Sequence, residues 1–237
     1  MKILLIVPAY NEEKNILKVY KKIIEYNKNN KLKYDCIVIN DGSNDNTEDV
    51  CIKNNIPHIS LIHNLGIGGA VQTGYKYALE NGYDIAIQFD GDGQHDINHV
   101  RKIVNPIING DADMVIGSRF IDLSSSEFKS SLFRRFGIKL ISFFIKLVTK
   151  YRVFDTTSGF RAVNQKLIQF FANSYPVEYP EPVSTTKVLR NGYIVKEVGV
   201  SMNRREAGES SIKAWKNVYY MINVILSIIL VGLERKR

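Results

Sequence analysis

Apolar positions in the first half of the chain switch between two periods. Residues 2–7, Lys-Ile-Leu-Leu-Ile-Val, form a short apolar run of buried-strand length. Residues 13–26 carry Ile16, Val19, Tyr20, Ile23 and Ile24 at helical spacing, and 34–39 return to a strand pattern. The same alternation continues through 58–62, 68–79, 83–89, 97–108 and 114–117, each strand being followed by a polar or glycine-rich turn. This order predicts an α/β protein with a mostly parallel sheet and helices on both faces.

The second half is less regular. Between 129 and 152 there are seven basic residues and no acidic one, with Arg135, Lys139, Ser142, Lys146 and Lys150 predicted on one helical stripe and Leu140, Ile141, Phe144, Leu147 and Val148 lying away from it. That pattern predicts a basic amphipathic helix suited to an anionic membrane surface; the plain alternative is a surface helix packed on the sheet. Residues 218–233 form an apolar run interrupted by Asn223 and flanked by Lys213, Lys216 and a basic end. At about 1.5 Å per residue it reaches roughly 24 Å, short of a hydrocarbon core of about 30 Å. An anchor, a shared interface and a core helix all remain open for it. Two units are therefore expected, 1–212 and a C-terminal helix in 213–237.

Composition narrows the class. The chain has 237 residues, 45% hydrophobic and 24% charged, which excludes a disordered or collagen-like protein. A formal charge of +8 favours an acidic partner: nucleic acid, a membrane surface or a phosphorylated substrate. No recognition module or aromatic-basic RNA motif accompanies the charge, so no nucleic-acid partner is expected. Cys36 and Cys51 do not have metal-pair spacing, and the chain reads as reduced and intracellular. Pro8 stops the opening apolar run, so a signal peptide is not expected.

In open α/β sheets ligands bind beyond the carboxyl ends of the strands, so the loops there are the ones to read. Four are chemically loaded: Pro8-Ala-Tyr-Asn-Glu12, Asn40-Asp-Gly-Ser43, Asn64-Leu-Gly-Ile-Gly-Gly69 and Asp90-Gly-Asp-Gly-Gln-His-Asp96. All four are expected to converge on one edge. Asp90 and Asp92, one glycine apart, can aim oxygens at one hard cation, Mg²⁺ or Mn²⁺ shared with a diphosphate, and Gln94 can add a carbonyl oxygen. An EF-hand is excluded because His95 and Arg101 stand where it needs Gly and Glu. Asp96 is expected to cap the following helix. His95 and His99 have the spacing of a helical metal pair but lack the zinc-protease Glu, and read as a loop residue and a helix-surface residue. No P-loop or dinucleotide fingerprint is present.

Together with Gly117-Ser-Arg119 and Thr157-Ser-Gly-Phe-Arg161, these loops resemble family 2 glycosyltransferases of the GT-A fold, in particular the polyprenyl-phosphate sugar synthases. The resemblance runs from residue 3 to about 212. It implies that Pro8, Tyr10, Glu12 and Asp41 hold the nucleotide, with Asn64 and Gly69 beside them, and that Asp90, Asp92 and Gln94 hold the ion on the diphosphate. Arg205 and Ser210, in a segment matching the family's Arg-x-x-Gly-x-Ser, are implied over the diphosphate. Asp96 stands where the family usually has Pro, and the two C-terminal transmembrane helices of many relatives have no counterpart beyond 218–233.

A polyprenyl phosphate acceptor brings its own oxyanion and needs no strong side-chain base. Arg119 and Arg134 or Arg135 could position it, with Asp155 nearby and Glu178 and Glu181 as second candidates. The resemblance implies inverting transfer from a nucleotide sugar, UDP-linked or alternatively GDP-mannose, at the cytoplasmic face of the cell membrane. Competing readings are a transferase extending a glycan, a sugar-nucleotide nucleotidyltransferase and a non-catalytic membrane adaptor. The nucleotidyltransferase wants a glycine-rich basic loop after the first strand, which 8–12 lacks. Basic flanks on both sides of 218–233 argue against a single crossing and for a homo-oligomer or a small integral membrane partner.

Overall fold

The computed structural model describes residues 1–30, 33–121, 132–202 and 214–234, with side chains from 135 and from 219 in the last two segments. Among them seven strands form one sheet in the order β3-β2-β1-β4-β6-β5-β7. β1 (Ile3–Ala9) lies inside it between β2 (Tyr34–Asn40) and β4 (Ile85–Gln88), all parallel, with β3 (His58–Ser60) outside β2. β1 is buried at every position, which is why it reads as an unbroken apolar run.

Its alternate side chains feed two cores. Ile3, Leu5 and Val7 pack with α1 (Ile16–Asn30), α2 (Thr47–Lys53) and α4 (Val100–Ile108). Leu4 and Ile6 pack with α3 (Gly66–Glu80), α5 (Leu132–Thr149), α6 (Gln165–Asn173), α7 (Pro180–Arg190) and α8 (Ala214–Leu233). The helix expected over 13–26 starts three residues later because 13–15 form a turn closed by Asn15 and Ile16 N–H bonds to the Glu12 carbonyl. The helix expected over 97–108 opens as a 3₁₀ turn, Ile97–His99, capped as anticipated by Asp96, whose Oδ1 accepts the Asn98 N–H.

One departure from parallel order positions the site. β6 (Arg161–Asn164) runs antiparallel between β4 and β5 (Met114–Ser118), pairing Arg161 with Gln88. The segment entering β6, residues 155–160, therefore lies at the same sheet edge as the loop leaving β4. β5 is antiparallel to β6 and so runs with β4, which brings residue 119 out of the sheet at that edge too, and β7 (Val195–Gly199) lies parallel outside β5.

α8 packs Val224, Ile228 and Val231 inward, against α5 and α7. Gly137 of α5 faces Met221, and Gly232 of α8 faces Val148, so α5 and α8 run parallel with a glycine contact at each end. Among the described residues no helix is long and apolar enough to cross a membrane. The α5 stripe differs from the expectation in two places. Ser142 is buried, its hydroxyl donating to the Val153 carbonyl, and Leu147 is 67% exposed together with Phe136 and Phe143. The physical reason is that the chain after α5 folds back over Ser142 while α8 covers the flank of Gly137 and Val148, which leaves basic and large apolar residues together on the outer face.

Candidate active site

The four loops meet as expected. Gly42 makes the closest join: it has φ +63°, and a Cβ there would come within 2.7 Å of the Asn64 backbone nitrogen. The Asn11 N–H donates to Ser43 Oγ at 3.0 Å and the Asn44 N–H to Asn11 Oδ1 at 2.9 Å, tying the first loop to the second. Asp41 Oδ1 accepts the Leu65 N–H at 2.7 Å, and Asn64 Nδ2 donates to the Asp41 carbonyl at 3.1 Å. Asp41 is buried; burial pushes its carboxyl pKa up, and the N–H groups of Leu65 and Gly66 oppose that rise.

Gly69 lies in the first turn of α3, while Tyr10 is exposed on the rim. Glu12 is held to the start of α1, its Oε2 accepting Asn15 Nδ2 at 2.7 Å. Pro8 packs its carbonyl against Gly91, where a Cβ would sit 2.9 Å away. Pro8, Tyr10, Glu12, Asp41, Asn64 and Gly69 thus form one rim, whose carboxylates and amide can engage ribose hydroxyls or base N–H groups.

Asp90 and Asp92 stand where this rim meets the 155–160 segment. Asp92 Oδ1 accepts the Gln94 N–H at 3.0 Å. Gly159 leaves room for Asp90: a Cβ at 159 would fall 3.2 Å from Asp90 Oδ1. His95 is not the simple loop residue the spacing suggests. It is buried, stacked on Phe160 at 4.7 Å between centroids and edge-on to Phe89. Its Nδ1 accepts the Asp90 N–H at 2.9 Å, which places its proton on Nε2, 3.3 Å from Asp90 Oδ2. Burial pushes the His95 pKa down to about 4, Asp92 opposing and Arg119 adding to the fall, so the ring is neutral at pH 7. His99 also has a partner, Ser201 Oγ at 2.7 Å, instead of a bare helix surface.

No group of three His, Cys, Asp or Glu side chains among the described residues could hold a metal by itself. Two carboxylates fit an ion whose remaining ligands are substrate phosphate oxygens and water, the usual state of Mg²⁺ and Mn²⁺. His95→Phe would keep the ring packing and remove both contacts to Asp90. Mn²⁺ affinity is expected to fall about 10- to 100-fold, the usual cost of losing a ligand's supporting partner; titration followed by electron paramagnetic resonance checks this.

Beside this loop Asp155, wholly buried, holds Arg119. Its Oδ2 accepts Arg119 Nε at 2.8 Å and the Arg119 backbone N–H at 3.0 Å, and Oδ1 accepts Nη2 at 2.7 Å. Thr157 Oγ1 takes a second bond from Nη2 at 2.9 Å. The structure therefore brings Arg119 and Asp155 together as a bidentate pair. Arg135 is exposed on α5. The Arg134 side chain, Arg205 and Ser210 lie outside the described residues.

Two residues complete the site, Arg161, which the sequence offered only as part of its motif, and Glu181, a second candidate for the acceptor side. Buried Arg161 donates from Nε to the Ser158 carbonyl at 2.7 Å and from Nη1 to the Glu181 carbonyl at 2.8 Å. The Glu181 carboxyl faces Arg161, Asp90 and Gln88; burial raises its pKa and the Arg161 cation opposes the rise. Glu178 is exposed. Only the antiparallel pairing of Gln88 with Arg161 unites these positions, and no spacing in the sequence announces it.

Comparison with known proteins gives the family. Residues 4–171 match the family described as Glycosyl transferase family 2. The UDP-N-acetylglucosamine–dolichyl-phosphate N-acetylglucosaminyltransferase of Methanococcus voltae is 33% identical over 237 residues, covering 92% of this chain and 88% of that protein. The polyprenol monophosphomannose synthase of Mycolicibacterium smegmatis is 24% identical, covering 88% and 80%. Among solved structures, glucosyl-3-phosphoglycerate synthase from Mycobacterium tuberculosis, with Mn²⁺, UDP-glucose and phosphoglyceric acid, superposes with a TM-score of 0.67 at 19% identity, covering 98% of this chain and 79% of that one. That last likeness concerns the fold, a GT-A arrangement. With its four strand-end loops, its Asp90–Asp92 pair and this match over most of its length, the chain belongs to glycosyl transferase family 2.

Proposed function

We propose that this glycosyltransferase moves a monosaccharide from a UDP-sugar to a polyprenyl phosphate, with inversion at the anomeric carbon, at the cytoplasmic face of a membrane. The observation that carries the reading is Arg119, fixed by Asp155 within electrostatic reach of the Asp92–His95 loop. A guanidinium so held can grip an acceptor phosphate next to the donor diphosphate.

The phosphate oxygen then attacks the anomeric carbon from the face opposite the nucleotide, and the bond from that carbon to the diphosphate oxygen breaks. The acceptor arrives ionised, so no proton has to be removed from it. A divalent ion on Asp90 and Asp92, when bound, supplies charge that stabilises the departing diphosphate. The M. voltae relative, whose name couples UDP-N-acetylglucosamine with dolichyl phosphate, favours a UDP-linked donor and makes N-acetylglucosamine the first sugar to test.

The membrane reading rests on the outer faces of α5 and α8. Phe136, Phe143 and Leu147 of α5 and Tyr219, Ile222, Leu226, Leu230 and Leu233 of α8 are exposed, and Arg135, Lys139, Lys146 and Lys150 stand among them. Apolar burial combined with attraction to anionic headgroups suits such a surface. Phe143→Glu with Leu226→Glu is expected to cut partition onto anionic vesicles by about tenfold or more, read by flotation at two salt concentrations; unchanged flotation would refute it. Any oligomer or small membrane partner would use the same α8 face.

A second reading has one observation behind it. Glu181, its pKa raised beside Asp90, could take a proton from a hydroxyl acceptor and extend a glycan instead. The deciding experiment incubates the protein with Mn²⁺, radiolabelled UDP-N-acetylglucosamine, UDP-glucose or GDP-mannose, and a polyprenyl phosphate. Label extracted into organic solvent as an acid-labile product supports the lipid acceptor. Label that appears only in a water-soluble glycan, and is lost in Glu181→Gln, supports the other.

A further inference from the structure

Glu197 lies on β7, paired in register with Ile116 of β5, in a strand that reads as ordinary alternating surface sequence. Its carboxylate instead reaches across to the segment before Thr157-Ser-Gly159. Oε2 accepts the Phe154 N–H at 2.7 Å and Oε1 accepts the Asp155 N–H at 2.8 Å. The result is a connected series from β7 through the backbone of 154–155 to the Asp155 carboxylate, and from there to Nε and Nη2 of Arg119.

The arrangement has a cost. Burial raises the Glu197 pKa, the two N–H bonds oppose the rise, and the neighbouring Asp155 carboxylate adds to it. A neutral side chain or a water could satisfy two N–H groups without setting a second carboxylate beside the first. A carboxylate gives the stiffer join, because charge-assisted bonds are shorter and roughly twice as strong as neutral ones. We propose that Glu197 is a positioning residue for the acceptor: it sets the 154–155 segment and, through Asp155, the angle at which Arg119 presents its guanidinium to the acceptor phosphate. This rests on the phosphate-acceptor reading above.

The test is steady-state kinetics of Glu197→Gln on the full chain with Mn²⁺, the active UDP-sugar and a short-chain polyprenyl phosphate. Gln keeps the shape and one acceptor oxygen but loses the second bond and the charge. The acceptor KM is expected to rise about tenfold, while the donor KM and the Mn²⁺-supported affinity for UDP stay within about twofold, since misplacement of a binding group by an ångström can cost up to about 100-fold. In an Arg119→Lys background the same substitution should add less than about twofold, because both act on one contact.

Equal rises in donor and acceptor KM, or fully additive effects, would overturn the proposal. Should Glu197→Gln fold poorly, Glu197→Asp, a methylene shorter, carries the same kinetic prediction. If Arg119→Lys leaves the acceptor KM unchanged, the phosphate-acceptor reading itself falls. If it raises that KM and Glu197→Gln does not, only the positioning role falls.

Discussion

Asp92→Asn is expected to lower sugar transfer by about three orders of magnitude, with the melting temperature within about 2 °C of the parent. The substitution keeps an oxygen for the Gln94 N–H, now 3.0 Å from Asp92 Oδ1, so the turn survives. What it removes is one of two negative charges available to hold a divalent ion against a diphosphate. Taking away a single group that stabilises transition-state charge costs about 10²–10³ in rate, and loss of the ion from a two-carboxylate site extends the effect beyond that one group. Transfer of label from the active UDP-sugar, measured beside Mn²⁺ titration, checks both halves. Retained metal-dependent turnover in Asp92→Asn would remove Asp92 from the site. Chelation with EDTA should reproduce the loss in the parent and be reversed by Mn²⁺.

The largest expected stability effect belongs to Asp155→Ala. Arg119 is 6% exposed and Asp155 wholly buried, so deleting the carboxylate strands a guanidinium away from water. Breaking a buried pair in this way costs about 3–5 kcal/mol. In a chain of this size each kcal/mol moves the melting temperature by about 2–4 °C, so a fall of about 10 °C is expected. Urea unfolding of parent and variant gives the free-energy difference directly. Replacing both partners, Asp155→Leu with Arg119→Met, should recover most of the stability, because no charge is then stranded. Activity should not return with it if Arg119 grips the acceptor, so this double variant separates folding from function.

Legibility in the sequence followed the range of the physics involved. β1, β2 and the helix periods could be read because burial on both faces leaves an unbroken apolar run and burial on one face leaves a stripe. The rim loops could be read because each directly follows a strand, and parallel strands deliver their carboxyl ends to one edge. Asp90 and Asp92 were visible for the same local reason, as was the cap at Asp96.

The remainder depends on pairings between distant residues. His95 looks like half of a helical pair with His99, yet its ring is spent on Asp90 five residues back and on Phe160, which the antiparallel β6 brings alongside. Leu147 and Ser142 exchange their expected places because the chain after α5 folds back over Ser142 while α8 covers another flank of the helix. Glu197 carries no local signature at all; it matters because β7 docks beside β5, within reach of the segment that holds Asp155. By itself the sequence determined the parallel strands of the first half, their loaded edge and the pair of carboxylates there, since these follow from periodicity and chain direction. Only the tertiary structure decided which charges meet: a hydrogen bond spans about 3 Å, and distances that short between residues 36 or 42 positions apart are set by packing.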